Sequence, residues 1–238
     1  MIVNRTKRSG LFLLALSVAL CVLSAATVWS SEPATPAPEE IVRKVQHLYS
    51  QHVCFQARFN QLTVNVAMDM TDRFEGTMYV KRPASIALEV ETPEKQRIVV
   101  RERAFLVYFP DDGGSTRGEI PPEIDVSHFI GFFANIRDIE KGFTVAFPSK
   151  TLDTADRLYF IELTDKKNPQ STYRVVLGID MTEFTVRRAI IYDALGNYNR
   201  FDLTGIRFLD DIPDWRFNLN AEVGKPSQAL NAPASLSR

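Results

Sequence analysis

Residues 74–91 read FEGTMYVKRPASIALEVE. Two runs with strand character, Phe74–Val80 and Ala84–Val90, meet at Lys81-Arg82-Pro83. Ile86, Leu88 and Val90 share one face of the second run by the period-two rule, and Ala87, Glu89 and Glu91 take the other. Pro83 has no N–H to give a ladder, so pairing must break there. Arg82 is thereby expected at a strand end, beside an apolar sheet face. Taken alone, Lys81-Arg82 reads as a solvated charge pair at a strand tip, because such side chains are rarely buried unpaired.

Upstream, Ile41, Val42, Val45, Leu48 and Tyr49 form one continuous stripe at helical spacing, predicting an amphipathic helix over 39–52. Glu39 and Glu40 suit its N-terminal dipole. From Val53 the period becomes two. Phe55, Ala57 and Phe59 share a face; then Leu62, Val64, Val66, Met68 and Met70 share one. The parity flip predicts a bulge near Asn60-Gln61 or a change of face. Asp72-Arg73 reads as the hairpin turn, and Met68 and Met70 suit a pliable cavity wall.

Downstream, Arg97–Arg101 and Ala104–Pro110 predict a hairpin about Glu102-Arg103, and Asp111–Ser115 a loop. This loop lacks the Gly-Lys-Ser/Thr of a phosphate-binding P-loop. Residues 121–140 carry the second helical pattern, with Phe129, Phe132, Phe133 and Ile136 at helical spacing and Gly131 weakening it. An aromatic, weak helix inside a β chain fits a movable cover or an ordinary packing helix. Strands are expected over 143–147, 157–163, 173–179, 184–191 and 199–209. Alternation from Trp215 through Phe217, Leu219 and Ala221 to Val223 predicts one more.

The chain has 238 residues, 45% of them hydrophobic and 24% charged, the balance of one globular domain with dispensable ends. Residues 1–30 read as a secretory signal peptide. Arg5, Lys7 and Arg8 precede an apolar run over 11–23, and small residues follow. Cleavage fits after Ala26 or after Ser30. Cys21 lies inside the apolar run behind a bulky Leu20, which is wrong for a lipid-bearing cysteine. Beyond residue 30 the chain keeps 25 of its 28 basic residues against all 29 acidic ones, a net charge of −4. That excludes an electrostatic footprint for nucleic acid. Residues 31–38 read as a Pro/Ala linker, 39–223 as the folded domain and 224–238 as a disordered tail.

No catalytic constellation emerges. His47 and His52 are five apart, not the four that stack a metal pair, and His128 stands alone. Neither H-E-x-x-H nor G-x-S-x-G is present. Cys54 near His52 is more economically a small core hydrophobe than a nucleophile. No cofactor and no metal are expected. A long antiparallel sheet with two helical pieces and sixteen phenylalanines points instead to an apolar ligand.

Phe55-Gln56-Ala57-Arg58-Phe59-Asn60-Gln61, Gly76 with Val80-Lys81-Arg82-Pro83, and Val107-Tyr108-Phe109-Pro110 together resemble the outer-membrane lipoprotein carrier (LolA) family. The likeness extends from about Glu39 to Val223. It implies a mainly β (α+β) fold, an unclosed antiparallel half-barrel with a helical lid. It also implies a periplasmic, non-enzymatic, monomeric carrier. Such a carrier takes triacylated lipoproteins from an inner-membrane ABC exporter and gives them to an outer-membrane receptor. Arg82 matches the family's lid-gating arginine. Phe59, Val64, Val66, Met68, Ile86, Leu88, Val90, Phe129, Phe132 and Phe133 are the expected acyl-chain cavity. The chain departs from the family at Leu88, where a Trp is frequent, and beyond Trp215. The same half-barrel also serves other envelope pathways, so a lipid- or glycolipid-binding module is the alternative expectation.

Overall fold

A computed structural model describes residues 35–120, 133, 136–149, 157–169 and 173–220. Residues 1–34 and 221–238 lie outside them, as do Phe129 and Phe132, and with them the expected signal peptide and most of the expected second helix. Helix α1 (Pro38–Ser50) opens the described chain, with Pro38 in its first turn and Glu39 and Glu40 behind it. Eleven strands follow: β1 (Cys54–Asn65), β2 (Met70–Lys81), β3 (Ser85–Thr92), β4 (Gln96–Arg101), β5 (Ala104–Tyr108), β6 (Ser115–Glu119), β7 (Phe143–Ala146), β8 (Leu158–Asp165), β9 (Arg174–Asp180), β10 (Val186–Tyr192) and β11 (Tyr198–Leu209). A 3-10 turn (Ile136–Asp138) runs into a single helical turn, α2 (Ile139–Gly142), just before β7.

The strands form one sheet in the order β6-β5-β4-β3-β2-β1-β11-β10-β9-β8-β7, antiparallel throughout. Edges β6 and β7 do not pair with each other, so the sheet stays open. Ile86 and Leu88 of β3 nonetheless share one buried cluster with Ile161 and Leu163 of β8 and with Ile41, Val42 and Val45 of α1. Strands six places apart meet around one helix only if the sheet curves about it. This is the mainly β, unclosed antiparallel architecture with helical cover that the sequence implied.

The β1–β2 pairing corrects three expectations. It runs without interruption from Cys54↔Lys81 to Asn65↔Met70, so no bulge lies near Asn60-Gln61. The irregularity sits in β11. Gln56 pairs with Arg207 but Arg58 with Thr204, and Gly205 takes a φ of +56° there. The hairpin turn falls after Asn65 and before Met70, ahead of Asp72-Arg73, which are strand residues. Val66 and Met68 therefore stand exposed at a hairpin tip rather than along a cavity wall. Strict alternation from Phe59 puts Leu62 and Val64 on the opposite face. Leu62 is buried there beside Arg73 and Arg200, its pairing partners on either side, whose aliphatic stems can cover it.

The expected final strand is also absent among the described residues. Asp214–Phe217 is a 3-10 turn led in by Pro213. Ile212 and Phe217 bury against Cys54, Tyr79, Ala87, Val99 and Leu106 on the outer face. Arg97 explains why the segment lies flat rather than pairing as a strand. Its buried guanidinium donates to the carbonyls of Trp215 (2.7 Å) and Arg216 (3.2 Å). Arg216 crosses to Glu89 (2.5 Å) over the Tyr79 ring, and Lys81 holds Asp211 (2.9 Å) and Asp214 (2.7 Å).

Two consequences can be measured. A Cβ at Gly76 would lie 2.0 Å from the Glu89 carbonyl oxygen, where β2 and β3 shift register. Gly76→Val should cost about 1–3 kcal/mol or more, read as a lower denaturation midpoint at unchanged slope. Cys54 is buried beneath Ile212 and Phe217, and burial pushes its thiol above the ordinary value. Arg97→Ala should speed labelling of Cys54 by a thiol reagent at least tenfold, while equal rates would mean that Arg97 does not hold the segment down.

Candidate functional site

The inner face of the sheet is built by alternation. Phe55, Ala57 and Phe59 of β1, Met78 and Val80 of β2, and Ile86, Leu88 and Val90 of β3 all enter the inner cluster. From the other wing come Ile161 and Leu163 of β8, Val175, Leu177 and Ile179 of β9, Val186, Ala189 and Ile191 of β10, and Phe201 and Leu203 of β11. Of the expected cavity residues, the structure brings together Phe59, Ile86, Leu88, Val90 and Phe133, all buried. Val64 lies on the outer face, and Val66 and Met68 at the tip. Met78 was missed, although register pairs it directly with Leu88. Phe201 was missed too; its ring lies 6.2 Å from Phe59 and 6.0 Å, edge-on, from Phe133.

What covers this face is helical and apolar. Ile41, Val42, Val45 and Tyr49 of α1 join Phe133, Ile136 and Ile139 in the cluster. Polar contacts also tie the cover down: Lys166 Nζ donates to the Glu140 carbonyl (2.6 Å), and the Lys166 N–H to that of Gly142 (2.9 Å). Gln46 of α1 donates to the Glu140 carboxylate (2.7 Å) and accepts from the Glu140 N–H (3.0 Å). The Tyr49 hydroxyl accepts from the Val186 N–H (3.2 Å), and its burial pushes the phenol far above its ordinary value. Beyond Phe59 and Phe201 the inner face turns polar. Thr63 donates to the Asn199 side-chain carbonyl (2.6 Å), and Gln61 to the same oxygen (3.2 Å).

Arg82 sits at the rim nearest the cover. Its N–H donates to Val53 (3.0 Å), and its guanidinium donates to the His52 carbonyl. Nη1 is buried with no hydrogen-bond partner among the described residues. Burial lowers the guanidinium's pKa; nearby Arg137 adds to this and Asp138 opposes it. Arg82 is therefore within electrostatic reach of the 3-10 turn that belongs to the cover. Asp138 spends its carboxylate on Lys141 (2.8 Å) and Arg137 (3.2 Å) instead.

Cys54 and His52 do not form a catalytic pair. The thiol belongs to the outer cluster, whereas the His52 ring stacks on Phe208, 4.3 Å away, which packs against the inner one. Among the described residues no group of three His, Cys, Asp or Glu side chains is placed to hold a metal.

Hydrogen bonding from Lys141, then Arg137, holds Asp138 below the usual carboxylate range. Its stabilising contribution is thus present above the unfolded value of about 3.9 and lost as pH falls through the lower folded value. The melting temperature should fall below about pH 4. Asp138→Asn should shallow that fall, and an unchanged acid limb would show that the pairing contributes nothing.

A sequence profile of the outer membrane lipoprotein carrier protein LolA family matches residues 50–220. An outer-membrane lipoprotein carrier protein of Coxiella burnetii is 25% identical over 119 residues, which are 50% of this chain and 56% of the relative. The aligned stretch thus spans little more than half of that relative's length. A carrier of the same description from Pseudomonas entomophila is 19% identical over 188 residues, 79% of this chain and 87% of the relative. Among solved structures, a LolA superfamily protein from Nitrosomonas europaea aligns at a TM-score of 0.43 and 16% identity, covering 77% of this chain and 98% of that one. With the profile spanning most of the folded region, the chain belongs to the outer membrane lipoprotein carrier protein (LolA) family.

Proposed function

We propose that this protein carries lipoproteins across the periplasm by taking their acyl chains into its apolar interior, without catalysis. The observation that carries this reading is the nature of the cover. One face of a curved sheet is apolar across strands β3 to β8, and what closes it is a helix and short turns. Such a cover could leave without breaking any strand pairing of the sheet.

Magnitudes favour exchange. Acyl burial is worth ~0.8 kcal/mol per CH2, so one long chain gains on the order of 10 kcal/mol gross. Seven cover side chains, from Ile41 to Ile139, are buried in the inner cluster. Withdrawing them costs roughly 1.5–3 kcal/mol each. The two sums are of the same order, so cargo can displace the cover and the cover can displace cargo. Phe59, Ile86, Leu88, Val90 and Phe133 would touch the chains. The polar strip at Gln61, Thr63 and Asn199 would face the cargo's polar portion. Arg82 would gate the cover, its spare Nη1 donor taking a partner in one of the two states. Residues 1–30 would direct export, and an inner-membrane ABC exporter and an outer-membrane receptor would be donor and acceptor.

The test is a donor–acceptor transfer assay with purified components and an acylated lipoprotein. Arg82→Leu should fold and load normally but release cargo at least tenfold more slowly. Wild-type transfer by this variant would remove Arg82 from the account. The polar strip favours one second reading, a glycolipid-binding module, for which the bound species would be free glycolipid with no acylated polypeptide.

A further inference from the structure

The end of the sheet opposite Arg82 has an unusual surface. Val66, Met68 and Met70 at the β1–β2 tip are 58%, 67% and 52% exposed. Leu195, at the β10–β11 tip, is 77% exposed. The two tips are joined, because the Val66 N–H donates to the Asn197 side-chain carbonyl (2.9 Å). Each is also held from within. Asn65 Oδ1 accepts from the Met68 N–H (3.1 Å), and Asp193 Oδ1 from the Leu195 and Asn197 N–H groups (2.8 and 2.9 Å). Both turns are thus held by side-chain hydrogen bonds in a form that leaves these apolar side chains exposed. Exposed large aliphatics gathered in one place mark an interaction site.

Behind the tips stand tyrosines. The Tyr192 and Tyr198 rings, which flank the β10–β11 tip, are 5.6 Å apart. Arg174 lies over Tyr192 at 4.3 Å, and Tyr173 is 44% exposed beside it. Aliphatic tips backed by amphipathic tyrosines is the order of side chains that a membrane–water interface selects. The exposed apolar side chains stand at two short turns, Val66 and Met68 with Met70 at one and Leu195 at the other. The two tips themselves, 65–70 and 193–198, contain no Lys or Arg and carry Asp69 and Asp193, while Arg174 and Arg200 behind them are paired with Glu162 and Asp202. The surface therefore matches an uncharged, zwitterionic headgroup layer rather than an anionic one.

We propose that the paired β1–β2 and β10–β11 tips dock this protein on a zwitterionic lipid surface, with Val66, Met68 and Leu195 entering the interface. The contact does not depend on what fills the interior, so it stands or falls separately from the carrier reading.

The experiment is flotation with phosphatidylcholine vesicles. Pro36–Arg238 forms a compact unit of its own, so this form keeps the apolar run at 11–23 out of the measurement. Wild type should float with vesicles. The triple variant Val66→Ser, Met68→Ser, Leu195→Ser should float at least tenfold less at an unchanged melting temperature. Val53→Ser, exposed at the opposite end, should behave as wild type. Adding phosphatidylglycerol to about one third of the lipid at low salt should weaken binding rather than strengthen it. Wild type that stays off the vesicles would overturn the proposal, as would a triple variant that floats equally. Self-association of wild type without flotation, lost in the triple variant, would overturn it in favour of a second copy of the chain.

Discussion

Ile41, Val42 and Val45 of α1 are shut from water against the inner face of an open sheet, and the other features follow from that contact. An open, curved sheet cannot bury its concave face against itself. Some other element must fill it, and here the filler is one amphipathic helix with the short turns before β7. The hydrophobic effect that seats this cover is non-directional, so it can be satisfied equally by other apolar matter of similar volume. Among the described residues its directional contacts include the Gln46–Glu140 pair, the Tyr49–Val186 bond, Lys166 on the Glu140 and Gly142 carbonyls, and the charges around Arg82. They fix where the closed cover sits without adding much to what holds it.

The outer face is treated differently. Along β1 to β5 it is closed by Ile212–Phe217, tied down by Arg97, Arg216 and Lys81. Along β8 to β10 it buries a small cluster of Leu158, Phe160, Val176 and Ile190. Gly178 belongs to this arrangement, since a Cβ there would come within 2.9 Å of Leu158. One face thus carries a charge-pinned closing segment, and the other an apolar helical cover. That asymmetry fits the proposal that the interior opens on the helical side.

Much of this was legible in the sequence. The α1 stripe, the alternation of Ile86, Leu88 and Val90, and the break at Lys81-Arg82-Pro83 all appear where periodicity put them. The family resemblance, rather than periodicity, supplied the unclosed architecture. What the sequence hid has a common physical cause. Alternation tells which residues share a face but not which face is inside, and here both faces bury apolar side chains. Val64 could therefore be read as cavity wall when it lies outside. The run from Val64 to Met70 keeps period two straight through a turn that only Asn65 and Asp69 mark, Asn65 by accepting from the Met68 N–H and Asp69 by its positive φ. Trp215 to Val223 alternates as well. Only Pro213 ahead of it and the distant Arg97, which takes its carbonyls, make the opening turn a 3-10 one.

The central claim is that the inner cluster yields to acyl chains. Native mass spectrometry of the protein purified without detergent from its own cell envelope addresses it most directly. The account predicts a population carrying acylated polypeptide, lost when Leu88 and Phe59 are replaced by Asp in a variant that still folds. A protein that is always empty, or that carries only a ligand without acyl chains, would contradict it.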